Sequence, residues 1–347
     1  MSELAVQPRH NVRFLVAGFV PYLLAVVAAF LAAGIFIAAM GFNVPEAYSS
    51  ILFTSFRTPT AFIQTLLKFV PLMLMALGFA VPLKANKFNI GLEGQLILGA
   101  IGATAAGILL ADLPAFLLLP MAILAGILFG ALWAALPAWL LYRFNINEIL
   151  TTVLMNFVAF SLMDYIATEV WGDPGAGHPT TIPIAPGAYM PLLVSSPPLN
   201  AGILIALLTA VVVYIYTNRT VSGYELGATG SNPRASMVYG INTRTMFLLS
   251  LIIGGALAGL AGAIEVTGVQ HRLIEGMQSN YLQLGIIIGL IAKGNIRAIP
   301  LVAFFIAVLE VGASAMQRTM MIPVEIVFIV EALILIFILL ADVIRRR

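Results

Sequence analysis

Long apolar runs alternate with short polar connections along the chain, and the apolar pattern occurs ten times. Most of these runs approach the roughly 20 residues that an α-helix needs to cross a bilayer. We therefore predict an all-α integral membrane protein with about ten transmembrane helices, in which residues 1–347 form a single membrane-spanning domain. The predicted spans are Phe14–Met40, Thr60–Val81, Leu96–Leu110, Pro114–Leu141, Ile149–Ala167, Ala201–Thr217, Met246–Val266, Tyr281–Ala292, Ala298–Ser314 and Val324–Val343.

The third and eighth runs are shorter than the others and contain glycines, and they occupy corresponding places in the two halves of the chain. Paired short, glycine-interrupted helices indicate a translocation path in transporters built from inverted repeats. This pattern favours two inverted halves of five helices each. The alternative is that both runs are ordinary tilted helices of moderate hydrophobicity.

The basic residues predict the orientation of the spans. If the N-terminus lies inside and there are ten spans, thirteen of the 17 Lys and Arg residues fall on the inner side. The positive-inside rule then places both termini in the cytoplasm. Residues 1–12 become a cytoplasmic tail, 168–200 an external loop and 218–245 a cytoplasmic segment, whereas Gly41–Pro59 is predicted to be a loop.

The cytoplasmic segment 218–245 carries signals for a short helix. Asn232 is a typical N-cap, and Pro233 suits the first helical position. Gly240 follows where a left-handed residue commonly ends a helix. A short helix between two spans is a docking device for a partner, and the alternative is an ordinary solvated loop.

Composition supports the membrane assignment and argues against an enzyme. The chain is 61% hydrophobic and only 9% charged, whereas soluble domains contain about 25% charged residues. It contains no cysteine, its three histidines show no metal-ligand spacing, and no phosphate-binding loop motif occurs. We therefore predict no catalytic residues, no metal and no cofactor.

Polar residues near the third span are candidates for a substrate path. Glu93, Gln95 and Asn89 lie beside Gly91 and Gly94. A carboxylate and amides at a glycine-broken helix end can hydrogen-bond sugar hydroxyls or a base edge. The alternative is that they cap the third span and close a turn.

Other polar residues lie within predicted spans. For Asn156, lining the path and bonding between helices are equally plausible, and Glu331 is a further path candidate. Lys68 lies at a depth similar to that of Asp164, Glu265 and Glu310. A static ion pair between Lys68 and one of these acids is favoured over a substrate contact.

Two stretches resemble a known family. NKFNIGLEGQLILGAIGA (86–103) resembles a motif of permease subunits of bacterial ATP-binding-cassette importers, specifically their nucleoside and simple-sugar branch. ELGATGSNPRASMVYGIN (225–242), followed by SLIIGGALAGLAGAIEVTG (250–268), resembles the cytoplasmic coupling segment and next helix of the same family. That family also serves ribose and branched-chain amino acids.

The resemblance implies a type II importer-like permease in the bacterial inner membrane that moves nucleosides or simple sugars inward. Its implied partners are cytoplasmic ATPase subunits, a second and related permease subunit, an external substrate-binding protein and membrane lipid. The alternative function is an ion-coupled secondary transporter of a small polar solute. The residues implied to couple the permease to the ATPase are Glu225, Asn232, Pro233, Arg234, Tyr239 and Gly240.

Overall fold

A computed structural model describes residues 12–323 and 325–346, and nearly all of the regular structure there is helical. A two-stranded antiparallel hairpin is formed by β1 (Leu192–Ser195) and β2 (Pro198–Asn200). The α-helices are α1 (Val12–Ala39), α2 (Val44–Arg57), α3 (Pro59–Lys84), α4 (Leu92–Leu109), α5 (Ala115–Phe144), α6 (Glu148–Tyr165), α7 (Gly202–Arg219), α8 (Val221–Ser231), α9 (Pro233–Val238), α10 (Thr243–Glu265), α11 (Tyr281–Ile291), α12 (Ile299–Met320) and α13 (Glu325–Arg346).

Within the described residues, seven helices are both long enough and apolar enough to cross a membrane. They are Pro59–Lys84, Leu92–Leu109, Ala115–Phe144, Glu148–Val170, Gly202–Arg219, Thr243–Gln270 and Ile299–Met320. Two of them extend α6 and α10 by a π-helical turn, Ile166–Val170 and Val266–Gln270. The chain is therefore a multi-pass helical protein, while ten spans and two inverted halves remain predictions.

Two polar connections are more helical than the sequence pattern indicates. The pattern predicts a loop over Gly41–Pro59, yet most of it forms α2, whose first turn carries Glu46 and whose last carries Arg57. Charges of these signs complement the helix dipole. The segment 218–245 likewise contains α8 in addition to the predicted short helix, and Thr220 accepts the backbone N–H of Gly223 at the start of α8.

The chain divides into two compact units. One comprises the described residues up to Phe53 together with those from Gly312 onward, and α1 packs against α13 within it. The other extends from Thr54 to Val311 and contains α3 to α11. The helices α2 and α12 contribute residues to both units.

The core of the larger unit is the packing of α10 against α5 and α4. Glycines bring these helices close together: a Cβ atom on Gly130 would lie 2.6 Å from the Cα atom of Gly259. Such an approach leaves no space for a side chain, so the small residues of α5 and α10 determine the spacing of the helices. Gly126 and Gly130 lie four residues apart on α5, a small-residue spacing that permits this close approach.

An ordered loop follows α6 and pairs with the segment after α10. The backbone N–H of Thr181 donates to Leu273 O at 3.0 Å, and Arg272 forms a 3.1 Å salt bridge with Asp173. His271 stacks on Tyr189 with ring centres 3.9 Å apart, and burial lowers the pKa of His271. The loop 168–200 is therefore fastened to the helical bundle over much of its length.

Candidate functional site

The turn before α4 is closed by its own side chains. The amide of Asn89 donates to Gln95 Oε1 at 2.8 Å, and Gln95 donates back to Asn89 Oδ1 at 3.0 Å. The same oxygen of Asn89 accepts the backbone N–H of Gly91 at 3.1 Å. Both side chains are almost completely buried. The two amides satisfy each other because Gln95 lies one helical turn inside α4, facing the turn that precedes the helix.

Asn156 of α6 holds the same turn from the side. Its Oδ1 accepts the backbone N–H of Gly94 at 2.9 Å, and its Nδ2 donates to Ile90 O at 2.8 Å. The Thr152 hydroxyl, one turn earlier on α6, accepts the backbone N–H of Ile90 at 3.3 Å. Asn156 therefore bridges two segments by bonding backbone groups at the start of α4 that would otherwise be unsatisfied.

Glu93 connects the start of α4 with the start of α11. Its carboxylate is buried and interacts with the backbone N–H of Leu282, in the first turn of α11. The N-cap of α11 is Asn280, whose side chain makes no capping hydrogen bond. An acidic group is favourable at a helix N-terminus, where unpaired N–H groups carry partial positive charge. Glu93 thus supplies from α4 the acceptor that α11 lacks locally.

Four polar side chains, which we call the polar cluster, gather beside this helix start: Lys68 of α3, Glu265 of α10, Tyr281 of α11 and Glu310 of α12. The Tyr281 hydroxyl donates to Glu265 Oε1 at 3.4 Å, and the Lys68 ammonium lies 4.7 Å from the centre of the Tyr281 ring. The charge of Lys68 acts on both Glu265 and Glu310.

Lys68 forms no ion pair with a carboxylate in the described part of the chain. The predicted ion pair between Lys68 and one of these acids is therefore wrong. The Lys68 ammonium faces the Tyr281 ring instead. Sequence reasoning grouped Lys68 with these acids by depth, but it missed Tyr281, which looks like an ordinary aromatic residue at the start of an apolar run. No local signal identifies it as a member of the cluster.

The predicted coupling residues lie on α8, at the junction of α8 and α9, on α9 and in the turn after α9. Asn232 Oδ1 accepts the backbone N–H of Ala235 at 3.1 Å, and Pro233 is the first residue of α9. Gly240 has a φ of +83°, which confirms the predicted left-handed helix end. Glu225 lies on α8 and Arg234 on α9.

The last turn of α9 carries an exposed apolar surface. Val238 and Tyr239 are each 85% exposed, and Met237 is 56% exposed. Ser236 on the same helix is buried, so α9 packs on one side and leaves the other uncovered. Large apolar side chains this exposed at the end of a polar segment are typical of a surface that binds another protein.

Glu331, the remaining candidate, is buried within α13 and belongs to the smaller compact unit. The structure brings Asn89, Glu93, Gln95 and Asn156 together in the larger unit. It does not test a path role for Glu331, which stays a prediction.

A comparison with protein families identifies the family to which the chain belongs. The family described as "Branched-chain amino acid transport system / permease component" matches residues 61–339. Since this match includes most of the chain, the protein belongs to that family of membrane permeases.

Three curated relatives are similar over nearly their whole length. The glucose ABC transporter permease protein TsgB13 of Haloferax volcanii is 32% identical over 99% of this chain and 93% of its own. The guanosine ABC transporter permease protein NupP of Bacillus subtilis is 30% identical over 93% of both chains. The nucleoside ABC transporter permease protein NupB of Lactococcus lactis is 30% identical over 91% of this chain and 89% of its own. No solved structure gave a significant match.

Proposed function

We propose that this chain is the membrane-spanning subunit of an ATP-driven importer and moves nucleosides or simple sugars inward. The observation that carries the proposal is the meeting of two helix starts within the bundle, where Glu93 of α4 interacts with the first turn of α11. Broken helices whose N-termini meet near a polar centre are typical of substrate paths in transporters. Membership of the permease family and the similarity to glucose, guanosine and nucleoside permeases support this function.

Within the path, Glu93 presents a carboxylate to substrate hydroxyls. Asn89, Gln95 and Asn156 shape the path, because their amides are used to hold the turn beside Glu93. Glu331 on α13 is a further path carboxylate in this proposal. Branched-chain amino acids are poor substrates for this set, because a zwitterion with an apolar side chain needs different partners.

The proposed architecture has ten transmembrane helices in two inverted halves of five, within a single domain. Both termini lie in the cytoplasm of a bacterial cell and the protein spans its inner membrane. The loop 168–200 faces outward, and 218–245 couples to the ATPase. The distribution of Lys and Arg supports this orientation.

The proposed partners follow from membership of the permease family. Cytoplasmic ATPase subunits bind the exposed end of α9, using Arg234, Tyr239 and the backbone shape set by Asn232, Pro233 and Gly240, with Glu225 on α8 beside them. A second permease subunit, a related chain, completes the pathway. An external binding protein delivers substrate to the outer loops.

Reconstitution tests the function. Proteoliposomes containing the permease pair and its ATPase should accumulate labelled guanosine or a simple sugar only when ATP is supplied. Glu93→Gln should reduce that uptake severely while the complex still assembles, with Glu46→Gln, an exposed site in α2, as the matched control. Uptake driven by a proton gradient without ATP, or uptake of leucine alone, would refute the proposal.

Coupling is tested by a pair of equally strained variants. Gly240 and Gly41 have φ values of +83° and +82°, and at both positions the space that a Cβ atom would occupy is free of other atoms within 4 Å. A β-branched residue at either site should cost about 1–2 kcal/mol locally. Gly240→Val should weaken ATPase binding and uptake, whereas Gly41→Val should leave ATPase binding intact. Equal ATPase binding by both variants would remove α9 from the coupling surface.

A further inference from the structure

The polar cluster and the nearby Gln278 have hydrogen-bonding capacity that the described residues do not use. Glu310 Oε1 is buried without a hydrogen-bond partner among the described residues, and so is Gln278 Oε1, three residues before Tyr281. Lys68 donates no hydrogen bond to any residue that the structure describes. Charged groups within membrane helices are costly unless they are paired. Charged groups there that lack a hydrogen-bond or ion-pair partner commonly mark a functional site.

A row of four phenylalanine rings, which we call the aromatic row, is formed by residues of α2, α3 and α12. Phe304 lies 6.5 Å from Phe56, 6.5 Å from Phe62 and 6.1 Å from Phe69, measured between ring centres. Phe56 and Phe62 are exposed, whereas Phe69 is buried and directly follows Lys68 in the chain. The row therefore leads from an exposed end to α3 and α12, which carry Lys68 and Glu310 of the polar cluster.

We infer that the polar cluster and the buried end of the aromatic row form a binding site for a nucleoside. The inference rests on the proposed function and names the substrate class within it. Carboxylates accept hydrogen bonds from ribose hydroxyls, and the Lys68 ammonium donates to ring oxygen or base acceptors. The Tyr281 hydroxyl donates its proton to Glu265 and can accept a hydrogen bond from the nucleoside. The faces and edges of Phe69 and Phe304 pack on the planar base.

This combination discriminates between substrate classes. A free sugar uses the polar cluster but leaves the aromatic row without a planar partner. A branched-chain amino acid places an apolar side chain and a charged amine and carboxylate in the site, which matches neither the row nor the cluster. The site therefore favours a molecule that joins an aromatic ring to a polyol.

The absence of cysteine from the sequence allows a direct test of occupancy. Single variants Tyr281→Cys and Glu310→Cys would be assembled with the partner subunits and treated with a small hydrophilic thiol reagent. Guanosine should slow modification of both cysteines, and leucine should not. Asp112→Cys, in the exposed turn between α4 and α5, should be modified at the same rate with and without guanosine.

Uptake provides the second measurement. Tyr281→Phe and Glu310→Gln should each reduce guanosine uptake by about 10- to 100-fold, the value of one hydrogen bond to a charged group. Phe69→Leu should reduce guanosine uptake more than ribose uptake, because it removes only the stacking surface. Phe116→Leu, at a 76% exposed position on α5, is the matched control and should change neither.

The outcomes separate this inference from the proposed function. If the wild-type complex imports guanosine but guanosine protects neither cysteine and the variants import normally, the site is wrong and the proposed function stands. If the wild-type complex imports leucine alone, both are wrong. Protection of both cysteines by guanosine, together with loss of guanosine uptake in a variant that assembles like the wild type, confirms the site.

Discussion

The starts of α4 and α11 both carry polar side chains, but they use these groups in opposite ways. At the start of α4, the side-chain amides of Asn89, Gln95 and Asn156 are bonded to one another or to backbone groups. At the start of α11, Asn280 does not cap the helix, and Glu310 retains an unbonded oxygen within the described structure.

The difference separates polar groups that stabilise the fold from polar groups that remain available to bind a ligand. A buried polar group is costly when it lacks a partner, so a saturated set stabilises the fold and has little left to offer a ligand. An unsaturated set gives up some stability and keeps donors and acceptors available to a substrate. We therefore expect substitutions at the start of α4 to reduce stability more than transport. Substitutions at the start of α11 should reduce transport more than stability.

The largest effect on stability is expected for Asn156→Leu. The variant leaves the N–H of Gly94 and the carbonyl of Ile90 without their partner, and each buried unsatisfied group costs about 1–3 kcal/mol. Unfolding in mixed micelles with increasing denaturing detergent should therefore show a strongly destabilised protein. Gln64→Leu, at an exposed position on α3, provides the control. Stability equal to that of the wild type would show that α6 does not hold the turn.

A smaller effect is expected for the Asn89 and Gln95 pair, and it should depend on the partner. Because each amide bonds the other, replacing both with Leu should cost less than the sum of the two single changes, with a coupling of about 1–2 kcal/mol. A double-mutant cycle measures this coupling. If the two costs simply add, the amides act independently, and a direct contact of either one with substrate becomes the better interpretation.

The smallest stability change is expected for Tyr281→Phe, in contrast to its large effect on uptake. The hydroxyl makes one long hydrogen bond of 3.4 Å to Glu265, so its loss should cost less than about 1 kcal/mol. The same unfolding assay measures it beside Asn156→Leu. A stability loss as large as that of Asn156→Leu would show that Tyr281 mainly stabilises the fold. The starts of α4 and α11 would then not differ in the way that we propose.

Part of the candidate site was predictable from neighbouring residues. The N-cap at Asn232, the first helical position of Pro233 and the left-handed Gly240 were all predicted and are present. The start of α11 at Tyr281 also agrees with the predicted span. By contrast, the helix α2 was missed, because its charges and moderate hydrophobicity resemble those of a polar connection.

The sequence by itself determined which segments are apolar helices and where several of them begin and end, because caps, prolines and glycines act within a few residues along the chain. It also determined that Gly126 and Gly130 of α5 permit a close approach of another helix, because they are small. The structure decided that the partner is α10. Only the tertiary structure decided which polar groups are satisfied. Lys68 and Glu310 are far apart in the chain, and Asn156 bonds Gly94 and Ile90 only because α6 packs beside the start of α4. The free energy of a buried polar group depends on its partner, and partners are chosen by packing.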